Sequence, residues 1–200
     1  ASASVHISEV FTTLVSGISH LRVGNLNKQF IKRLVISGVI GGFLGAYLLS
    51  NIDGTAIKPF IALYLFVMGI RILIKAIYYK KRENEQPPIP APWKMEILGF
   101  VGGFFDAAGG GGWGPIVTST LISEGHSPRE TIGSVNISEF FVTFVEAATF
   151  IALIGIGDWQ VIVGFIIGGC IAAPFGAMLT KRISPRTLMY IVAVLIIGLQ

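Results

Sequence analysis

Residues 4–15 read Ser4-Val-His-Ile-Ser-Glu-Val-Phe-Thr-Thr-Leu-Val15, and residues 134–145 read Ser134-Val-Asn-Ile-Ser-Glu-Phe-Phe-Val-Thr-Phe-Val145. At an offset of 130, eight of the twelve positions are identical. The likeness continues downstream, where Phe43-Leu44-Gly45-Ala46 faces Pro174-Phe175-Gly176-Ala177 and Gly69 faces Gly198. Both copies set Ser and Glu inside apolar helical runs, where polar groups are costly. Duplicated hydrophobic helices around buried polar residues are the pattern of a transporter.

Composition agrees. Of 200 residues, 52% are hydrophobic and 13% charged, about half the charged share usual in soluble domains. Mean hydropathy is +0.74. Several stretches reach the roughly 20 apolar residues that cross a bilayer. The expectation is an all-α, polytopic protein of the cell (plasma or inner) membrane. The net charge of +4 sits in short loops, which argues against a nucleic-acid partner. Cys170 is the lone cysteine, so an intrachain disulfide is excluded and a thiolate metal cluster is disfavoured.

Helices are expected at about Val5–Leu21, Phe30–Leu49, Ile57–Tyr79, Ser127–Ile154, Gln160–Thr180 and Pro185–Gln200. Ser127-Pro128-Arg129-Glu130 reads as an N-cap, a first-turn proline and a capping box, and Ser184-Pro185 opens the last helix similarly. The proline-rich stretch 80–94 is a hydrophilic linker between a first repeat, 1–79, and a second, 95–200. Copy two is preceded by a glycine-rich unit and copy one is not. A first repeat lacking its N-terminal hairpin, a truncated last helix and a longer parent protein are therefore expected.

Loop charges set the orientation. Arg22, Lys28, Lys32 and Arg33 follow the first helix, whereas its counterpart around 155–159 carries only Asp158. The next pair reverses, with Asp53 and Lys58 against Lys181, Arg182 and Arg186. By the positive-inside rule the repeats lie upside down relative to each other, with 22–29, 80–94, 124–127 and 181–184 cytoplasmic. Only the 29 residues 95–123 then separate two cytoplasmic segments, fewer than the roughly 40 that two spans need. They form a re-entrant hairpin: Met95–Ala108 inward, Gly109–Gly114 as the tip, Pro115–Ser123 back. Fourteen helical residues reach about 21 Å, which puts the tip near the midplane.

At that tip Gly109, Gly110, Gly111 and Gly112 let a ligand approach backbone N–H groups, and Pro115 opens a half-helix whose positive end suits an anion. Trp113 reads either as a cap on the cavity or as plain packing. Gly41, Gly42, Gly45, Gly168 and Gly169 read as helix-packing positions. On the next helix Ser134, Asn136 and Ser138 fall at the depth of the tip, and Ser4, His6 and Ser8 are their twins. Their hydroxyls either face an oxyanion or bond back to helix carbonyls. Asp106, Glu9, Glu139 and Glu146 are intramembrane acids, candidates for proton coupling, with a helix-capping role as the alternative for Asp106. His6 and His20 read as hydrogen-bonded structural histidines, and Arg71 and Lys75 as snorkelling cations. No metal-ligand spacing, cofactor motif, nucleophile–base pair or nucleotide loop is present, so no enzyme activity is expected.

The run Gly99-Phe-Val-Gly-Gly-Phe-Phe-Asp-Ala-Ala-Gly-Gly-Gly-Gly-Trp-Gly-Pro115, then Gly125-His-Ser-Pro-Arg-Glu-Thr-Ile-Gly-Ser134, resembles the sulfite exporter TauE/SafE family. The duplicated halves extend the resemblance over the whole chain. It implies a transporter of small anions, chiefly sulfur compounds such as sulfite, thiosulfate or sulfonates, with Gly109–Gly112, Pro115 and Ser134 at motif positions. The expected function is secondary transport by alternating access, with proton coupling through one of the buried acids as an open alternative to their structural role. The alternatives are a passive anion channel and a non-transporting membrane sensor or scaffold.

Overall fold

The computed structural model describes residues 2–49, 58–79, 89–109, 112–156 and 159–198. All regular structure among them is helical: α1 (Ser2–Val23), α2 (Lys28–Leu49), α3 (Lys58–Ile77), α4 (Pro92–Gly109), α5 (Trp113–Glu124), α6 (Pro128–Ile154), α7 (Trp159–Arg182) and α8 (Pro185–Gly198). Four of them, over Lys28–Leu48, Pro59–Ile77, Pro128–Ile154 and Trp159–Arg182, are long and apolar enough to cross a membrane. At 12 residues α5 rises about 18 Å, too short for a core of about 30 Å.

Helix ends follow local chemistry. Gly125 takes a left-handed φ of 104°, and His126 N–H donates to Leu121 O at 3.1 Å, which stops α5. Ser184 caps α8 by accepting the Thr187 N–H at 3.2 Å. Ser127 does occupy the N-cap of α6 with Pro128 behind it, but its side chain makes no capping bond. Pro92 opens α4, so the last three residues assigned to the linker are helical, because a first-turn proline loses no hydrogen bond.

Glycines seat α4 on α2. A methyl at Gly41 would strike Phe100 O, one at Gly45 would strike Phe104 O, and one at Gly103 would strike Gly38 O. The two backbones therefore touch with no side chain between them. Elsewhere α1 packs on α6 and α7, α2 on α6, and α3 on α8. Exchanging α1 with α6, α2 with α7 and α3 with α8 maps this set of pairings onto itself.

Cationic segments gather at one end of the bundle. Arg33 Nη1 donates to Pro90 O at 2.7 Å, and Phe30 meets His126 edge-on at 5.1 Å, so α4 begins and α5 ends beside the start of α2. Arg186 donates to Ala76 O and Ile77 O, and Arg129 to Lys181 O. The outer faces are apolar: Phe60 is 74% exposed and Phe175 65%. An exposed apolar surface of this extent needs lipid around it. Trp93 and Trp159, both exposed, open α4 and α7, where an interfacial aromatic belt places such rings.

Candidate functional site

The first turn of α5 is the centre of the site. In sequence, helix was expected from Pro115; it begins two residues earlier because two carboxyls hold the first N–H groups. Asp106 Oδ1 accepts the Trp113 N–H at 2.7 Å. The Glu139 carboxyl takes the N–H of Gly114, whose Cβ position lies 3.5 Å from Oε1. Pro115 offers no N–H, and Ile116 N–H already closes the helix onto Gly112 O at 3.0 Å. Acids of the protein thus satisfy the N–H groups of Trp113 and Gly114, which follow the glycines expected to meet a ligand.

Three more groups converge here from α1 and α6. His6 is fully buried, and its ring stacks on Phe150 with centroids 5.3 Å apart and an interplanar angle of 4°. His6 Nδ1 lies 3.0 Å from Glu9 Oε2, in hydrogen-bond geometry, and 3.3 Å from Glu146 Oε2. Asp106 and Glu146 are also wholly buried. One donor atom each from His6, Asp106 and Glu146 fall within 4.8 Å of one another. Gly42 on α2 leaves room for this: a methyl there would sit 2.6 Å from Glu146 Oε1. No lysine or arginine pairs with these acids among the described residues.

The expected hydroxyls behave differently. Ser138 donates to Ser134 O at 2.8 Å, and Ser8 to Ser4 O at 2.8 Å, with a longer contact to Ile162 O. Both are the back-bonded arrangement rather than a free oxyanion donor. Ser134, in α6, faces the segment between α1 and α2, where its Oγ accepts the Asn27 N–H at 2.7 Å. Asn136 accepts from Ser16 Oγ at 2.8 Å and donates to Ile132 O, tying α1 to α6. Trp113 is fully buried among Phe30, Leu34, Met95 and Val142, with Nε1–H donating to Val135 O at 3.2 Å. Plain packing is the observed role. Gly109 ends α4 and Gly112 precedes α5, while Gly110 and Gly111 lie outside the described residues.

His20 is hydrogen-bonded to Asn25 Nδ2 at 3.3 Å, as a structural histidine should be. Outside the spans, burial and then the nearby Lys75 ammonium push the His126 imidazole below its ordinary range. The meeting of His6, Asp106 and Glu146 was missed in sequence, because they lie on three helices with no local spacing to mark them. The only signal was that each is ionisable in an apolar run.

Helices with lipid-facing surfaces around a buried polar centre define a multi-pass integral membrane protein. The chain belongs to the sulfite exporter TauE/SafE family, whose model matches residues 1–199. It is 43% identical over 201 residues to the probable membrane transporter protein YtnM of Bacillus subtilis (strain 168), covering 98% of this chain and 67% of that one. It is 27% identical over 175 residues to the probable membrane transporter protein YdhB of the same organism, covering 86% of this chain and 70% of that one. No solved structure matches it.

Proposed function

We propose that the chain is a secondary transporter of a small anion, of the class of sulfite, thiosulfate or a sulfonate, working by alternating access. The observation that carries the reading is the start of α5, a helix N-terminus buried among α1, α4 and α6 with ionisable groups around it. The family and the transporter names of its relatives point the same way. An inverted repeat with α4 and α5 as a re-entrant hairpin is favoured by the symmetric helix pairing. The shortness of α5, and the return of the hairpin to the end where it began, support it further.

Glu139 is the coupling group in this reading. While ionised it occupies the Gly114 N–H; once protonated it holds that donor weakly and yields it to an incoming oxyanion. One proton and one anion then travel together.

Uptake into liposomes of sulfite, thiosulfate, a sulfonate and small carboxylates, with and without a proton gradient, tests both parts. Saturable uptake of at least one sulfur anion is expected; none at all would refute the anion reading. Glu139→Gln should still bind the anion but lose the dependence of uptake on the proton gradient. An unchanged dependence would place coupling elsewhere.

A further inference from the structure

We propose that His6, Asp106 and Glu146 form a binding site for a divalent transition cation of the zinc type. We propose further that the bound ion gives the anion an electrophilic centre in place of two repelling carboxylates. The second half rests on the transport reading above; the first does not.

The geometry makes the case. The three residues come from α1, α4 and α6, and all three side chains are 0% exposed. Their donor atoms fall within 4.8 Å of one another. Each also carries atoms that make no hydrogen bond of good geometry, namely His6 Nε2, Asp106 Oδ2 and both carboxyl oxygens of Glu146, although Glu146 Oε2 lies 3.3 Å from His6 Nδ1 and the Glu146 and Asp106 carboxyls face each other. Buried polar atoms without partners are rare in folded proteins, and here they cluster at one point on three helices. A cation there would satisfy them together.

The donor set selects the ion. One imidazole nitrogen with carboxylate oxygens suits zinc and its first-row neighbours. There is no thiolate to favour a softer ion, and there are too few oxygens for calcium. Ligands on a tetrahedral zinc stand about 3.4 Å apart, so donors spread over 4.8 Å need to close by up to about 1.4 Å, within reach of the long Glu146 side chain.

The surroundings fit as well. His6 Nδ1 faces Glu9 at 3.0 Å and Glu146 at 3.3 Å while Nε2 has no partner, so Glu9 stands where a carboxylate that orients a ligand histidine would stand. Phe150 fixes the ring plane, and Asp106 is anchored through its other oxygen to Trp113 N–H. Three protein ligands leave a fourth position on the ion for an exchangeable group, which is where an oxyanion would bind.

The test titrates purified, metal-stripped full-chain protein in detergent with Zn²⁺ by calorimetry, and with Co²⁺ by its visible ligand-field bands, in the absence of any transport anion. One ion per chain is expected, with X-ray absorption showing a single imidazole. His6→Ala, Glu146→Gln and Asp106→Asn should each weaken binding by about 100-fold, on the scale of losing a ligand or its support. Asp106→Asn keeps the oxygen that caps Trp113, so its melting temperature guards against a mere folding defect. His20→Ala and His126→Ala should bind as the unaltered protein does. Failure of stoichiometric uptake, or uptake indifferent to the three substitutions, overturns the site. If the ion binds but anion uptake is equal with and without a chelator, the electrophilic role is overturned. If the ion binds and no anion moves under any condition, the site stands and the transport reading falls.

Discussion

Gly42→Ala is the most telling single substitution. The added methyl would lie 2.6 Å from Glu146 Oε1 and 3.0 Å from both Glu146 Cγ and Val142 Cγ1. An ordinary carbon–oxygen contact needs roughly 0.7 Å more, on the scale of atom-pair separations in packed interiors. Moving the carboxyl tip alone does not relieve the contact, because Glu146 Cγ and Val142 Cγ1 remain at 3.0 Å. Overpacking of this kind costs about 2–3 kcal/mol, and the alanine recovers about 1 kcal/mol of helix propensity. The net loss of about 1–2 kcal/mol corresponds to roughly 2–8 °C in melting temperature for a chain of this size. Gly168→Ala is the control: no atom lies within 4 Å of its Cβ position, so it should melt at or above the parent temperature. Melting in detergent, followed by tryptophan fluorescence, reads both. A Gly42→Ala protein as stable as Gly168→Ala would mean that Glu146 does not lie against α2, and the description of the cluster would be wrong.

Asp106→Ala removes the cap on Trp113 N–H and should cost about 1–2 kcal/mol, whereas Asp106→Asn retains the accepting oxygen and should melt within about 1 kcal/mol of the parent; equal losses in both would refute the capping role. The folded state depresses the His126 pKa, so its neutral form favours folding above the unfolded value of 6.5, and stability should fall as pH drops below that value. His126→Asn should therefore lose less melting temperature between pH 7.5 and 5.5 than the parent does, and an identical slope would discount that residue. In a Cys170→Ala background, Gln86→Cys and Ser184→Cys should label with a membrane-impermeant thiol reagent from the cytoplasmic face only, and Gly157→Cys from outside only. Labelling of 157 and 184 from one face would defeat the inverted arrangement.

Much of the fold was legible because bilayer helices advertise themselves by length, and prolines and glycines mark their ends. Pro128, Pro185 and Gly125 each stand at a boundary inferred from sequence. The misplaced start of α5 had a tertiary cause: Trp113 and Gly114 enter the helix because Asp106 and Glu139, from α4 and α6, satisfy their N–H groups. Nothing local in Gly-Trp-Gly-Pro signals that. At the site, all four acids were visible as anomalies in apolar runs. Which of them would meet, and that His6 would join them, depended on how three helices rotate against one another. The serines show the opposite limit: a hydroxyl four residues after a helix carbonyl has a partner within its own helix, and sequence cannot tell whether it will use it.

The contact between α2 and α4 has a mechanical consequence. Where glycine meets carbonyl across an interface there are no side chains to swing aside and act as bearings, and the two rods interlock like teeth. Sliding one past the other by a single residue would drive Cα atoms into the opposing backbone at several points at once. The pair should therefore travel as one strut, with its amides among the slowest in the molecule to exchange with solvent. A rearrangement that turns the buried acids from one side of the bilayer to the other is easier at a joint made of side chains, such as the one where Val142 and Glu146 of α6 meet α2. The glycines that build the strut decide where the molecule can bend.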